Sequence, residues 1–90
     1  MVSAEQELLG RLLVIRRMVK EKDFGSCVAL TGKLRFDLAR FSNIPLRNEI
    51  KDHILAMESM INPKNENETM ENLDKLAKSL IDIFMKYGIE

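Results

Sequence analysis

Between Asp23 and Phe41 the apolar residues of this chain fall on two sides of one predicted helix. At about 100° per residue, Phe24, Cys27, Val28, Thr31, Leu34, Leu38 and Phe41 make the broad stripe of a core-facing helix. Gly25, Ala29, Gly32, Phe36 and Ala39 make a second, shallow strip roughly opposite, on which Phe36 is the one large group. A helix with two apolar sides needs two neighbours. It sits in the middle of a bundle, or it packs inward on one side and against a partner on the other.

The preceding segment is apolar over most of its circumference. Ser3 and Gln6 have the spacing of a capping box, so a first helix is expected over about 4–22. Leu8, Leu12, Ile15 and Val19 form one face, Leu9 and Leu13 lie about 100 to 140° away, and Val14 and Met18 lie on the other flank. Asp23 is placed to cap the second helix, over about 24–41, and so short a connection makes the two helices antiparallel neighbours. Asn43 and Pro45 open a third, over about 45–61, with a stripe of Leu46, Ile50, His53, Ile54, Met57 and Ile61. Lys64 to Glu68 is wholly polar and reads as a surface loop. Thr69 is then the expected cap of a fourth helix over about 70–87, in which Met70, Leu73, Ala77, Leu80, Phe84 and Tyr87 carry the stripe and Gly88 the stop. No stretch alternates as a strand does. The pattern predicts an all-α fold, a four-helix up-and-down bundle forming a single domain over residues 1–90.

Composition narrows the function classes. The chain has 14 basic and 14 acidic residues, and this balance argues against coating nucleic acid or an anionic membrane, both of which need a dominant positive field. Cys27 lies on the core stripe and has no second cysteine to pair with, which suits a small buried hydrophobe in a reducing, cytoplasmic setting. One Cys and one His provide no soft-ligand set for zinc, no glycine-rich loop follows a strand, and no cofactor is expected. The first apolar run, Leu8 to Ile15, is broken by Gly10 and Arg11 and follows acidic residues, unlike a secretory leader, and no run approaches the roughly 20 apolar residues of a membrane span.

Two local resemblances add expectations. Lys22-Asp23-Phe24 followed by Cys27 resembles the turn of a tetratricopeptide hairpin; with no recurrence at that family's period of about 34 residues, it implies a helical hairpin and no repeat array. Arg47-Asn48-Glu49-Ile50-Lys51-Asp52-His53 resembles the motif of the HEPN family, small all-α proteins that are commonly ribonucleases, often toxins, with the Arg and His meeting in a cleft of a symmetric dimer. That resemblance would give Arg47 to phosphate and transition-state charge, Asn48 to positioning, and His53 to general acid or base work. Residues six apart on a regular helix point about 120° away from each other, so such a site needs an irregular first turn or two subunits. The alternative for His53 is a half-buried stripe residue steadied by Glu49.

The remaining candidate is a surface. If the main stripes fill the core, Leu9, Leu13 and Phe36 lie outside it on adjacent helices as an exposed apolar patch, with Arg16 and Arg17 as its polar rim. The leading expectation is therefore a protein–protein interaction module without catalytic activity, partnered by itself as a homodimer or by another protein. A HEPN-like ribonuclease is the second reading. A nucleic-acid-binding module using Arg11, Arg16, Arg17, Lys20, Lys33, Arg35 and Arg40 is the third.

Overall fold

A computed structural model describes residues 2–89. Four helices are present, α1 (Ala4–Lys20), α2 (Phe24–Ala39), α3 (Ile44–Ser59) and α4 (Glu66–Lys86), with no strand among the described residues. They pack into a compact body of 36 × 21 × 20 Å. α1 lies against both α2 and α4, and α3 closes the ring by contacting α2 and α4; α2 and α4 touch more sparingly across it.

The helix starts follow from their caps. Ser3 and Gln6 close the capping box, Gln6 N donating to Ser3 Oγ at 3.1 Å and Ser3 N to Gln6 Oε1 at 3.1 Å. Ser26 N donates to Asp23 Oδ1 at 3.1 Å to start α2, and Leu46 N to Asn43 Oδ1 at 3.1 Å to start α3. The fourth start departs from expectation. Asn65, not Thr69, caps α4, with Glu68 N donating to its side chain, so Glu66, Asn67 and Glu68 are an acidic first turn and not loop. That turn projects past the core, where no apolar pattern can mark it, and its acids suit the positive end of the helix dipole. Thr69 is instead buried, its hydroxyl donating to Asn62 O and accepting from Asn62 N at 3.0 Å, which clasps the α3–α4 connection.

Two helix ends share one geometry with different residues. After α1, Asp23 N reaches back to Met18 O and Lys22 N to Val19 O; after α4, Ile89 N reaches Phe84 O and Gly88 N reaches Met85 O. Both are Schellman closures that need a left-handed residue. Gly88 takes φ 73° without cost from a Cβ, whereas Lys22 takes φ 57° against its side chain.

One apolar core runs through all four helices. Leu8, Leu12 and Ile15 of α1, Cys27 and Leu34 of α2, Leu46, Ile50, Ile54 and Met57 of α3, and Leu73, Ala77, Leu80 and Phe84 of α4 are wholly buried. Phe41 meets Phe84 edge to face at 6.2 Å between ring centres. Buried carboxylates hold the joints. Glu5 accepts from Asn43 N at 2.8 Å and Ser42 N at 3.0 Å, tying the start of α1 to the α2–α3 turn. Asp37 accepts from Arg11 Nε at 2.6 Å and Arg40 Nη2 at 2.8 Å, and Arg40 also donates to Glu7, so α1 and α2 are laced by an ion network whose acid centre is buried.

Candidate functional site

α1 uses its two flanks for two neighbours. Arg11 and Glu7 bind Asp37 of α2 and Arg40 at its C-cap, while Arg16 Nε donates to Asp74 Oδ1 of α4 at 3.0 Å. Leu9 is two turns before Arg16 and therefore on the α4-facing flank, where it is only 7 % exposed. This corrects the sequence expectation for Leu9 and Arg16. Leu9 belongs to the core and Arg16 reaches α4, so neither borders Phe36. Leu13 is 53 % exposed as expected, but it lies about 40° outward of Leu9 on the α4 side, about 200° round the helix from Arg11. The anticipated patch is thus split, with Leu13 on one side of the α1 ridge and Phe36 on the other.

The face that remains is the outer side of α2. Phe36 is 73 % exposed, and Gly25, Ala29, Gly32 and Ala39 beside it are exposed as well. A Cβ added at Gly32 would meet nothing within 4 Å, so no contact among the described residues explains a glycine in mid-helix, where it costs about 1 kcal/mol relative to alanine. Gly10 of α1 is equally open, and it lies beside this face because the next residue, Arg11, binds Asp37, the residue after Phe36. Of the two placements expected for α2, the middle of the bundle is not the one observed: it packs inward on one side, and its outer strip meets no partner among the described residues.

The HEPN-like residues are spread over two flanks of α3. Glu58 accepts from Arg35 of α2 at 2.8 Å, and Arg47, three turns earlier, shares that flank. Glu49 accepts from Tyr87 Oη at 2.7 Å and Lys86 Nζ at 3.1 Å at the end of α4, and His53, one turn later, follows it. Because α3 is regular from Ile44, Arg47 and His53 do not converge within one chain, and Asn48 is exposed. One feature still marks the pair. Arg47 Nε and His53 Nδ1 are both buried atoms without a hydrogen-bond partner among the described residues, an arrangement folded proteins rarely leave unexplained. Donation from the Tyr87 hydroxyl, with Lys86 beside it, holds the Glu49 carboxyl below its ordinary range, and the same bond makes the Tyr87 hydroxyl harder to ionise.

The other candidates acquire partners of their own. Four of the seven bases of the nucleic-acid reading, Arg11, Arg16, Arg35 and Arg40, are engaged by acidic side chains within the fold. Burial pushes the Cys27 thiol up, aided by the Asp23 and Asp74 carboxylates, and its Sγ faces Ile15 O at 3.9 Å, so it is packed in the core. Two shallow surface depressions, of about 220 and 420 Å³, lie near Asn62 and Asn65 and near Val19 and Lys22, away from both Phe36 and Arg47. Among the described residues no three His, Cys, Asp or Glu side chains are grouped to hold a metal ion, and no helix is long and apolar enough to cross a membrane. Compared with protein-family models, curated proteins and solved structures, the chain matches none of them.

Proposed function

We propose that this protein is a helical interaction module that binds another protein surface through the outer face of α2 and performs no chemistry itself. The observation that carries the reading is Phe36, a large aromatic side chain 73 % exposed on a strip of glycine and alanine that leaves room for a second backbone. Aromatic residues are over-represented among the anchors of protein interfaces, and a lone one standing over small neighbours is shaped for insertion. An up-and-down course is part of the proposal. It is supported by the ring of helix neighbours and by the Arg11–Asp37 and Glu7–Arg40 pairs, in which rising numbers on α1 meet falling numbers on α2. The buried, unpaired Cys27 fits action in the reducing cytoplasm.

A second copy is the simplest occupant of such a face. Sedimentation equilibrium on the wild type and on Phe36→Glu tests that form of the reading. A dimer that the substitution splits supports it. A contact face elsewhere is indicated if the substituted chain still associates as the wild type does.

A ribonuclease reading has one observation of its own, the two unpartnered atoms on Arg47 and His53. Since the two side chains lie on different flanks of α3, a shared site would require two chains. His53→Ala should then abolish cleavage of single-stranded RNA by the purified protein, and unchanged cleavage would remove His53 from the chemistry.

A further inference from the structure

The charges around Phe36 distinguish between possible occupants of the α2 face. On α1, α2 and their turn, nearly every carboxylate is engaged internally: Glu5 by the backbone of Ser42 and Asn43, Glu7 by Arg40, Asp37 by Arg11 and Arg40, and Asp23 by Ser26. Glu21 is the exception. Among the bases, Arg17, Lys20, Lys22 and Lys33 are exposed and form no ion pair among the described residues. Lys33 precedes Phe36 by one turn on α2. Arg17 points away from the core of α1, half a turn round from Leu8. Lys33, one turn before Asp37, lies on the α1-facing flank of α2, and the Arg11–Asp37 register sets Arg17 across from about Thr31, so both flank the small-residue strip on its α1 side. At the turn the exposed acids Glu21 and Asp23 alternate with Lys20 and Lys22, so the unbalanced bases are Arg17 and Lys33; the remaining exposed acids, Asp52, Glu66, Glu68, Glu71 and Asp82, are carried by α3 and α4.

We infer that the α2 face takes an acidic amphipathic helix of a different protein in preference to a second copy of this chain. The inference rests on the interaction reading and deepens it. A two-fold axis that crosses two copies of α2 antiparallel near Gly32 brings their basic flanks to the same side, and like charges across an interface oppose association. An acidic helix meets the opposite field. Its apolar stripe lies over Ala29 and Gly32, where the open space at Gly32 admits close approach, and abuts the Phe36 ring. Its carboxylates reach Lys33 and Arg17, which share the α1 side of the strip.

The test uses the whole protein and a synthetic amphipathic helix about five turns long, with leucines at three- and four-residue spacing and glutamates elsewhere, alongside the same peptide with lysines in place of the glutamates. Fluorescence anisotropy should show binding of the acidic peptide alone, weakened roughly tenfold or more between low and high salt. The Arg17→Glu, Lys33→Glu double variant should weaken it to a similar degree, and so should Phe36→Glu, each with unchanged helical circular dichroism. Equal binding of the lysine peptide, or no binding of either, would overturn the inference. So would tighter binding of single-stranded RNA, which would assign the basic flank to a polyanion. A wild-type dimer that Phe36→Glu splits and the charge variant leaves intact would also overturn it, while keeping the interaction reading.

Discussion

α1 and α2 have the same problem and resolve it differently. Each carries apolar residues on two sides, and each begins with a well-formed cap. α1 lies between α2 and α4, so Leu9 on its second flank is buried and Arg16 beside it is paired. α2 contacts α1, α3 and, more sparingly, α4 with its inner face and flanks, and its second side, from Gly25 to Ala39, faces outward with Phe36 exposed. The difference lies in side-chain size. The second flank of α1 carries leucines, which fill the space between helices about 10 Å apart, whereas small residues on α2 cannot fill a gap of that width and suit a partner whose backbone comes nearer.

The comparison breaks most visibly at Leu9 and Leu13, four residues apart on α1. Leu9→Ala should cost about 2 to 3 kcal/mol in urea denaturation, as for a buried leucine, while Leu13→Ala should stay within about 0.5 kcal/mol. Equal losses would place Leu13 in a contact the described fold lacks. A smaller effect is expected at Glu5, whose carboxylate anchors the turn after α2. Burial raises its titration point, but the hydrogen bonds from Asn43, Ser42 and its own backbone outweigh that, so the net shift is downward. A depressed folded-state value means that its stabilising contribution is complete above the ordinary carboxylate range and is lost as the pH falls through the lower folded value. Glu5→Gln should therefore cost about 1 to 2 kcal/mol at neutral pH, with a difference from wild type that shrinks below roughly pH 4. Parallel acid-unfolding curves would contradict this.

The two helix ends sharpen the contrast further. Lys22→Gly relieves a left-handed lysine in a turn already built for glycine and should raise stability by about 1 kcal/mol. Gly32→Ala should raise it by a similar amount, because nothing among the described residues meets the added methyl. If the α2 face is a contact surface, that same substitution should weaken association, so stability and binding move in opposite directions. Phe36→Glu should change the unfolding free energy least of all, within about 0.5 kcal/mol, and a large loss would mean that Phe36 is packed.

Much of the architecture was legible in the sequence because the caps and stripes agree with each other. Ser3, Asp23 and Asn43 begin the helices predicted for them, and the residues at the centre of each stripe are the wholly buried ones. What was not legible depended on which helices meet. Leu9 and Leu13 are the same residue type on neighbouring positions of one flank, and only the approach of α4 separates a core residue from a surface one. Asn65 was missed for a related reason. The turn it caps is entirely polar, and its helical state follows from one side-chain bond to Glu68 N and from the acids at the dipole's positive end. Arg47 and His53 were legible as a spacing, but the regularity of α3, which holds them apart, belongs to the fold.

The burial of Leu9 by α4 also sets an order of events during synthesis. α1 and α2 are adjacent in the chain and can pair as soon as both have emerged, so the ion network around Asp37 is available early. The leucine flank of α1 has no such neighbour until α4, the last of the four helices, has been made. Through most of translation this hairpin therefore has two uncovered apolar sides, one that α4 later covers and one that persists in the finished molecule. A nascent chain arrested before α4 should bind hydrophobic-surface probes through Leu9 and Leu13 as well as Phe36.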